Sequence, residues 1–351
     1  MLVNQHRGQG IDMALQRGTL LQNGRYQIQR LLARGGFGFI YLTLDRRSGR
    51  HVVLKELIPM LVSDPQVQRR FTREGRAMQR LQHPNIARVE AMFRDGGNHY
   101  MVIEYLSGGS LADRLDREGK LSLSQATAIA VALCDALSYL HQLGITHCDL
   151  NPSNVLFDAQ GHPKLIDLGI AHVSEMLVHR SWRTERDFSM GTVVYMAPEQ
   201  LSGVRDDPRI DQYALGAIFY QMVSGRHYLS FDMTGTPDAQ ADNIKCVRNE
   251  MPEPIPGLSE EINQVILCAL AKARQDRYPD IAAFRQALSK ALVPYLPSAQ
   301  GIRLVAPFQP VGTQANVYAE VDEWPRWVWG MLCAVNLAVM LLFAWLLLGT
   351  P

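Results

Sequence analysis

Two short segments carry most of the side chains able to do chemistry. The first is His147-Cys148-Asp149-Leu150-Asn151-Pro152-Ser153-Asn154; the second, 13 residues beyond Asn154, is Asp167-Leu168-Gly169 after the apolar pair Leu165-Ile166. An aspartate, an asparagine and a second aspartate at this spacing supply a candidate general base and two oxygen ligands for a hard cation such as Mg²⁺, an ion that also binds phosphate. Upstream, Ala33-Arg34-Gly35-Gly36-Phe37-Gly38-Phe39-Ile40 lies between two runs of strand character. It reads as a glycine-rich hairpin and not as the strand-to-helix turn of a dinucleotide fold. Glycines let backbone amides approach phosphate oxygens closely, although a loop with three glycines is more often only a turn. Lys55 ends the strand run Val52-Val53-Leu54, and Glu74 follows 19 residues later on a helical segment. There a carboxylate can hold the ammonium toward phosphates, while taken alone the two residues read as a surface ion pair.

The elements that must position these groups fall into two textures. Residues 26–32, 39–45 and 51–57 alternate apolar and polar positions with β-branched and aromatic types, which predicts strands. Residues 67–81 have charge-rich helical spacing, and residues 99–105 return to strand character. After Ser110, helix-period apolar residues mark 122–143, 209–224, 259–273 and 281–292. A strand-rich first third followed by a helical remainder implies two lobes with a cleft between them.

Net charge narrows the function little further: 35 Lys plus Arg against 34 Asp plus Glu give +1 over 351 residues, which provides no field favouring nucleic acid. The apolar content of 47% with 20% charged residues argues against a mainly disordered chain, a collagen or a coiled coil. Cys134, Cys148, Cys246, Cys268 and Cys333 are scattered and without a CxxC pair, so neither a disulfide framework nor a zinc site is expected and the soluble part is assigned to a reducing compartment. Residues 1–18 lack the apolar run of a signal peptide. By contrast, residues 327–349 are 23 positions without a charge, which at about 1.5 Å per residue suffices to cross a bilayer core of roughly 30 Å. Trp324, Trp327, Trp329 and Trp345 sit near its ends as interface anchors would, and Arg326 places the preceding residues on the cytoplasmic side. The expectation is a C-terminal transmembrane helix, single-pass in the cell membrane. Gly330, Ala334 and Ala338 share one face of it at a spacing that lets two spans pack as a homodimer.

In their order along the chain, these motifs resemble the protein kinase family in its bacterial, Hanks-type serine/threonine form. The resemblance covers residues 26–292 and extends to Ala197-Pro198-Glu199, Asp211-Gln212-Tyr213-Ala214-Leu215-Gly216 and Arg277. Asp211 looks like the family's buried structural aspartate, and Arg277 like the arginine that pairs Glu199. Thr192 looks like the serine/threonine type, and Leu168 is a common bacterial variant of the metal motif. The resemblance implies an α+β, bilobal protein kinase fold, with a kinase domain at 26–293 made of an antiparallel β N-lobe (26–105) and a helical C-lobe (106–293); composition sets apart an N-terminal extension at 1–25, a proline-bearing linker at 294–326 and the span at 327–349. The resemblance further implies ATP and Mg²⁺, with Mn²⁺ as an alternative ion, and protein substrates bearing Ser or Thr; the near-zero net charge is what argues against a nucleic-acid partner.

Residue by residue, the resemblance places Ala33, Gly35, Gly36, Phe37, Gly38 and Ile40 over the triphosphate. Lys55 would contact the α- and β-phosphates with Glu74 orienting it, Asp149 would accept or steer the substrate hydroxyl proton, and Asn154 and Asp167 would hold magnesium. Glu104 and Leu106 look like hinge positions that receive adenine through backbone groups, with Ile103 as gatekeeper, Val53 against the base, Leu156 beneath it and Ser110 near the ribose. His83 before Pro84-Asn85-Ile86 resembles a structural turn.

Four positions depart from the family pattern. Ala33 replaces the first loop glycine, and Val53 stands where an Ala usually packs on adenine. Cys148 replaces the Arg that receives a phosphorylated activation loop, so control through that contact is not expected. Asn151, counted here among the catalytic residues, occupies the place of a Lys that contacts the γ-phosphate. Losing one charge-assisted hydrogen bond of about 1.5 to 3 kcal/mol slows transfer roughly 10- to 150-fold without abolishing it. The departures leave three readings open: an active serine/threonine kinase, a nucleotide-binding pseudokinase scaffold, and a small-molecule kinase of the aminoglycoside phosphotransferase type. Thr192, Ala197-Pro198-Glu199 and Arg277 disfavour the last. Residues 170–190 resemble an activation loop, with Ser181, Thr184 and Ser189 beside Arg180, Arg183 and Arg186 as candidate autophosphorylation sites.

Overall fold

The computed structural model describes residues 14–35, 38–57, 75, 78–167 and 193–292. Expectations for Gly36, Phe37, Glu74, Leu168, Gly169, Thr192, residues 170–190, the linker and the span concern positions outside the described residues.

Six strands form an antiparallel sheet: β1 (Leu20–Leu21), β2 (Tyr26–Gly35), β3 (Gly38–Asp45), β4 (Arg50–Leu57), β5 (Val89–Asp95) and β6 (Asn98–Glu104), in the spatial order β1-β2-β3-β4-β6-β5. β2 and β3 are joined through the glycine hairpin, with Gly35 paired to Gly38. The period-2 alternation of a strand puts Tyr41, Leu54, Tyr100 and Val102 into one buried cluster with Tyr26 and Ile28. Glu56 is buried with them and is satisfied by three donors: Tyr41 Oη at 2.8 Å, Asn98 Nδ2 at 2.6 Å and Tyr100 Oη at 2.9 Å. Because neighbours on a strand face opposite sides, fixing Glu56 in the core aims Lys55 out of it. The sheet begins before residue 26: β1 pairs with Tyr26, and Leu15 N–H donates to Tyr41 Oη at 2.9 Å.

The second lobe is helical. Ser110 and Ser122 each close a capping box, with Asp113 and Gln125, and so start α1 (Leu111–Glu118) and α2 (Leu123–Gln142). α2 is apolar around most of its circumference because it is the central core helix, packed against α3 (Arg209–Ser224) and the last described helix. α4 (Pro237–Asn249), α5 (Glu260–Ala269) and α6 (Ile281–Leu292) complete the lobe. A small antiparallel ribbon, β7 (Val155–Phe157) with β8 (Pro163–Leu165), lies between the two motif segments. Gly108 lets the chain leaving the sheet press on this ribbon, since a Cβ there would sit 2.7 Å from the Asp158 carbonyl oxygen.

The four strands and four of the five helices read from periodicity are present, with ends shifted by a few residues; most of the fifth, over 67–81, lies outside the described residues. The helix expected over 259–273 stops at Ala269, where the backbone turns toward a short 3₁₀ segment, Arg274–Asp276. Sequence periodicity did not single out β5, α1 or α4.

Candidate active site

The loop before β7 is built around one buried carboxylate. Asp211, on the first turn of α3, accepts from His147 N at 2.8 Å and Cys148 N at 2.9 Å, and its Oδ2 lies 2.8 Å from His141 Nε2. This grip holds Cys148 in the left-handed region, φ 61°, a conformation that costs a residue with a Cβ. Gln200 Nε2 adds a bond to the Cys148 carbonyl at 2.8 Å, and the Cys148 thiol faces the Arg205 carbonyl at 3.1 Å.

His147 ties the two motif segments together. Its Nδ1 accepts from Asp149 N–H at 3.3 Å, so Nε2 carries the proton and donates to the Ile166 carbonyl at 3.1 Å. One ring thus fixes both the residue that bears the candidate base and the residue before Asp167. Asp167 also adopts a left-handed backbone, φ 57°.

Asp149 is held by two side-chain amides. Asn154 Nδ2 donates to its Oδ2 at 3.0 Å and to its carbonyl at 2.7 Å; Asn151 Nδ2 donates to the same carbonyl at 3.1 Å and more weakly to Oδ1 at 3.4 Å. Burial pushes the Asp149 carboxyl above the ordinary aspartate value, with Asp167 adding in the same direction, while His147 and the two amides oppose the shift. Asn151 is at the same time the N-cap of the 3₁₀ turn Pro152–Asn154: its Oδ1 accepts from Ser153 N at 2.9 Å and Asn154 N at 3.3 Å. Its side chain is therefore turned into its own loop.

Across the cleft, Lys55 Nζ lies 2.6 Å from Asp167 Oδ1. The sequence named Glu74 as the lysine's partner, and that residue is outside the described set. The donor chemistry fits a hard cation: with the Asn154 nitrogen committed to Asp149, its amide oxygen remains as a ligand beside the Asp167 carboxylate. Among the described residues no group of three or more His, Cys, Asp or Glu gathers for a metal, so phosphate and water oxygens would complete the shell.

The described residues among those expected to contact nucleotide lie on β2 to β6 and on the segment from Leu106 to β7. Ala33 pairs with Ile40 across the hairpin, and Val53 pairs with Ile103 between β4 and β6. Leu106 and Leu156 pack together with Ala87, with Ile103 and Ile166 against them. The Glu104 carboxylate accepts from Arg88 N at 2.8 Å and Lys164 Nζ at 3.0 Å, and its own backbone N–H donates to the Arg88 carbonyl at 3.0 Å. The Ser110 hydroxyl donates to Asp113 Oδ2 at 2.6 Å and accepts from Asp113 N at 3.1 Å, so the ribose position is occupied by a capping residue. Arg277 and Glu199 form a bidentate pair at 2.6 and 2.8 Å, as the resemblance implied. His141, Gln200 and Lys164 were not found by sequence reasoning; each acts through a tertiary partner and carries no local motif.

The family model for the protein kinase domain matches residues 26–292. The serine/threonine-protein kinase PknA of Mycobacterium tuberculosis is 35% identical over 273 residues, covering 76% of this chain and 61% of its own length. PknB of Mycobacterium leprae, also a serine/threonine-protein kinase, is 33% identical over 273 residues, covering 74% of this chain and 42% of its own. The chain thus spans roughly half the length of these relatives. Among solved structures, a variant of the PknI kinase domain of Mycobacterium tuberculosis superposes with a TM-score of 0.59 at 27% identity, over 80% of this chain and 99% of that one. With an ordered set of motifs, a two-lobed fold that assembles them and a family model spanning both lobes, the chain belongs to the protein kinase family, among relatives that are bacterial serine/threonine kinases.

Proposed function

We propose that this chain is a membrane-tethered serine/threonine protein kinase that transfers the γ-phosphoryl group of ATP to Ser or Thr hydroxyls of proteins. The observation that carries the reading is the arrangement around Asp149: a carboxylate oriented by Asn154 and Asn151, near enough to Asp167 to feel its charge, with Asp167 itself paired to Lys55. The hydroxyl oxygen forms a bond to the γ-phosphorus while the bond to the β,γ-bridging oxygen breaks, and the hydroxyl proton passes to Asp149. Burial raises the basicity of that carboxylate, which favours proton acceptance. Lys55 supplies positive charge to the phosphates. Asn154 and Asp167 would hold Mg²⁺, which supplies charge neutralisation to the phosphates. The uncharged residues 327–349 support the tether.

The test uses the full chain with labelled Mg-ATP and a generic protein substrate, beside Asp149→Ala. Transfer by the parent and its loss in the variant is the expected result; ATP binding without transfer by either protein overturns the reading. For the tether, the expected result is that the expressed chain stays with membranes after alkaline carbonate washing and is released when residues 327–349 are deleted.

A further inference from the structure

Residues 14–22 precede the stretch matched to the kinase family, yet they are built into the sheet that carries Lys55. Ala14 and Leu15 pack against the buried cluster that includes Tyr41, Leu54 and Tyr100. Gly18 N donates to the Ile28 carbonyl at 2.8 Å, β1 pairs with β2, and Gln22 N donates to Asp95 Oδ2 on β5 at 2.5 Å. At its other end Leu15 N–H donates to Tyr41 Oη on β3 at 2.9 Å. The segment is thus a strap tied to three strands. Tyr41 passes the contact inward, because its hydroxyl accepts from Leu15 and donates its single proton to Glu56 Oε2 at 2.8 Å. Glu56 Oε1 accepts from Asn98 Nδ2 at 2.6 Å and Tyr100 Oη at 2.9 Å.

Glu56 is only 4% exposed, and a carboxylate taken out of water is costlier there than an apolar side chain unless its oxygens are bonded. What the carboxylate adds is direction. Its bonds fix β4 against β3 and β6 at the residue that follows Lys55, whose own neighbours in register are Ile40 and Met101. One peptide N–H of the strap therefore stands two hydrogen bonds from the residue next to the lysine that meets Asp167. Resting on the protein kinase reading above, we propose that Tyr41 and Glu56 are positioning residues acting through Lys55, and that residues 14–22 are the strap whose hold on Tyr41 keeps that lysine aimed at the phosphates. Lifting the strap weakens the lysine's contact with nucleotide.

The test is a mutant cycle on the full chain, with Mg-ATP, a generic protein substrate and a fluorescent ATP analogue, run well below the melting temperature of each protein. Tyr41→Phe removes the hydroxyl that links strap to carboxylate and is expected to lower kcat/KM for ATP about 2- to 10-fold, the scale of one hydrogen bond. Leu15→Pro removes the strap's donor and should act in the same direction, adding little once Tyr41 is Phe. Glu56→Leu should lose about 10-fold, whereas Glu56→Gln should keep most of the activity, since its oxygen still serves Asn98 and Tyr100 and its nitrogen can donate to Tyr41. The deciding arm is Lys55→Met: in that background Tyr41→Phe and Glu56→Leu should have no further effect. A purely structural role would instead lower melting temperatures with kcat/KM unchanged, or multiply with the loss in Lys55→Met, and either result overturns the positioning. If Glu56→Leu does not fold, Tyr41→Phe, which keeps the ring, decides alone. Analogue affinity that follows the same cycle without transfer by any protein would sink the kinase reading and uphold the positioning. Equal transfer by the parent, Tyr41→Phe and Leu15→Pro overturns the positioning and leaves the kinase reading intact; a parent that neither binds nucleotide nor transfers phosphate overturns both.

Discussion

Lys55 and Asp167, 112 residues apart, meet at 2.6 Å across the cleft, with the lysine side chain 15% exposed and the aspartate 32%. The pair joins the sheet of the first lobe to the segment that follows β8, so each charge sets the position of the other. Lys55→Met and Asp167→Asn are each expected to lower kcat/KM for ATP by roughly 10- to 150-fold, the scale of a lost charge-assisted hydrogen bond. Since the two groups act together, the double variant should lose much less than the product of the single losses. Fully multiplicative losses in steady-state assays would show that the contact has no bearing on transfer.

Asn151 stands where the family pattern has a lysine, and the structure gives it a different occupation. Its oxygen caps the Pro152–Asn154 turn and its nitrogen reaches Asp149, so one side chain orders both the candidate base and the backbone that presents Asn154. Asn151→Ala should cost about 0.5–2 kcal/mol of stability, as other N-cap truncations do, and should lower kcat more than it raises KM for ATP. Asn151→Asp retains the capping oxygen but loses the donor to Asp149, so it should restore the melting temperature without restoring kcat. Equal recovery of both quantities in Asn151→Asp would mean that the contact with Asp149 is irrelevant.

The site was legible in sequence where spacing alone brings residues together, as with Asp149, Asn154 and Asp167 around a short ribbon. It was not legible where the partner is distant. Nothing local announces that His141 lies against Asp211, 70 residues away, or that Lys164 binds Glu104, 60 residues away. Residue type also underdetermined Asn151, since an amide serves a phosphate and a helix cap equally well. Among the elements, β5 escaped because only its first residue, Val89, is buried, Arg94 is exposed and the others are half-buried, so no alternation develops. α4 escaped because its sequence is mostly polar, and its start depends on the Thr236 cap and Pro237.

The Glu199–Arg277 pair predicts a stability effect separable from chemistry. Arg277 has a fully buried side chain and spends its remaining donors on the carbonyls of Arg209, Ala271 and Lys272. Removing Glu199 leaves that guanidinium uncompensated in the core. Glu199→Ala should destabilise the C-lobe by about 3–5 kcal/mol, whereas Glu199→Gln, which keeps an acceptor, should cost less. Urea unfolding followed by far-ultraviolet circular dichroism checks both, since it reads the helices of this lobe; a midpoint for Glu199→Ala within error of the parent's would refute the assignment.

Lys272 gives the clearest dependence of stability on pH. It packs over the rings of Tyr213 and Tyr228 and donates to Tyr213 Oη at 3.1 Å. Burial, reinforced by nearby Arg277, pulls its ammonium down from 10.5 to about 8. The folded state therefore releases this proton first on raising the pH. Below about 8 both states carry the charge and the folded state bears the full penalty; between about 8 and 10.5 only the unfolded state holds the proton; above 10.5 neither does. Because the unfolded state binds more protons in the middle window, stability rises with pH across it. In Lys272→Met this contribution disappears, so the variant should equal or exceed the parent in stability at pH 7 and lose that advantage steadily toward pH 10. Unfolding free energies of the two proteins, measured at the same pH values, cancel the titration of other groups in their difference. A difference that stays flat from pH 7 to 10 would show that the lysine titrates alike in both states.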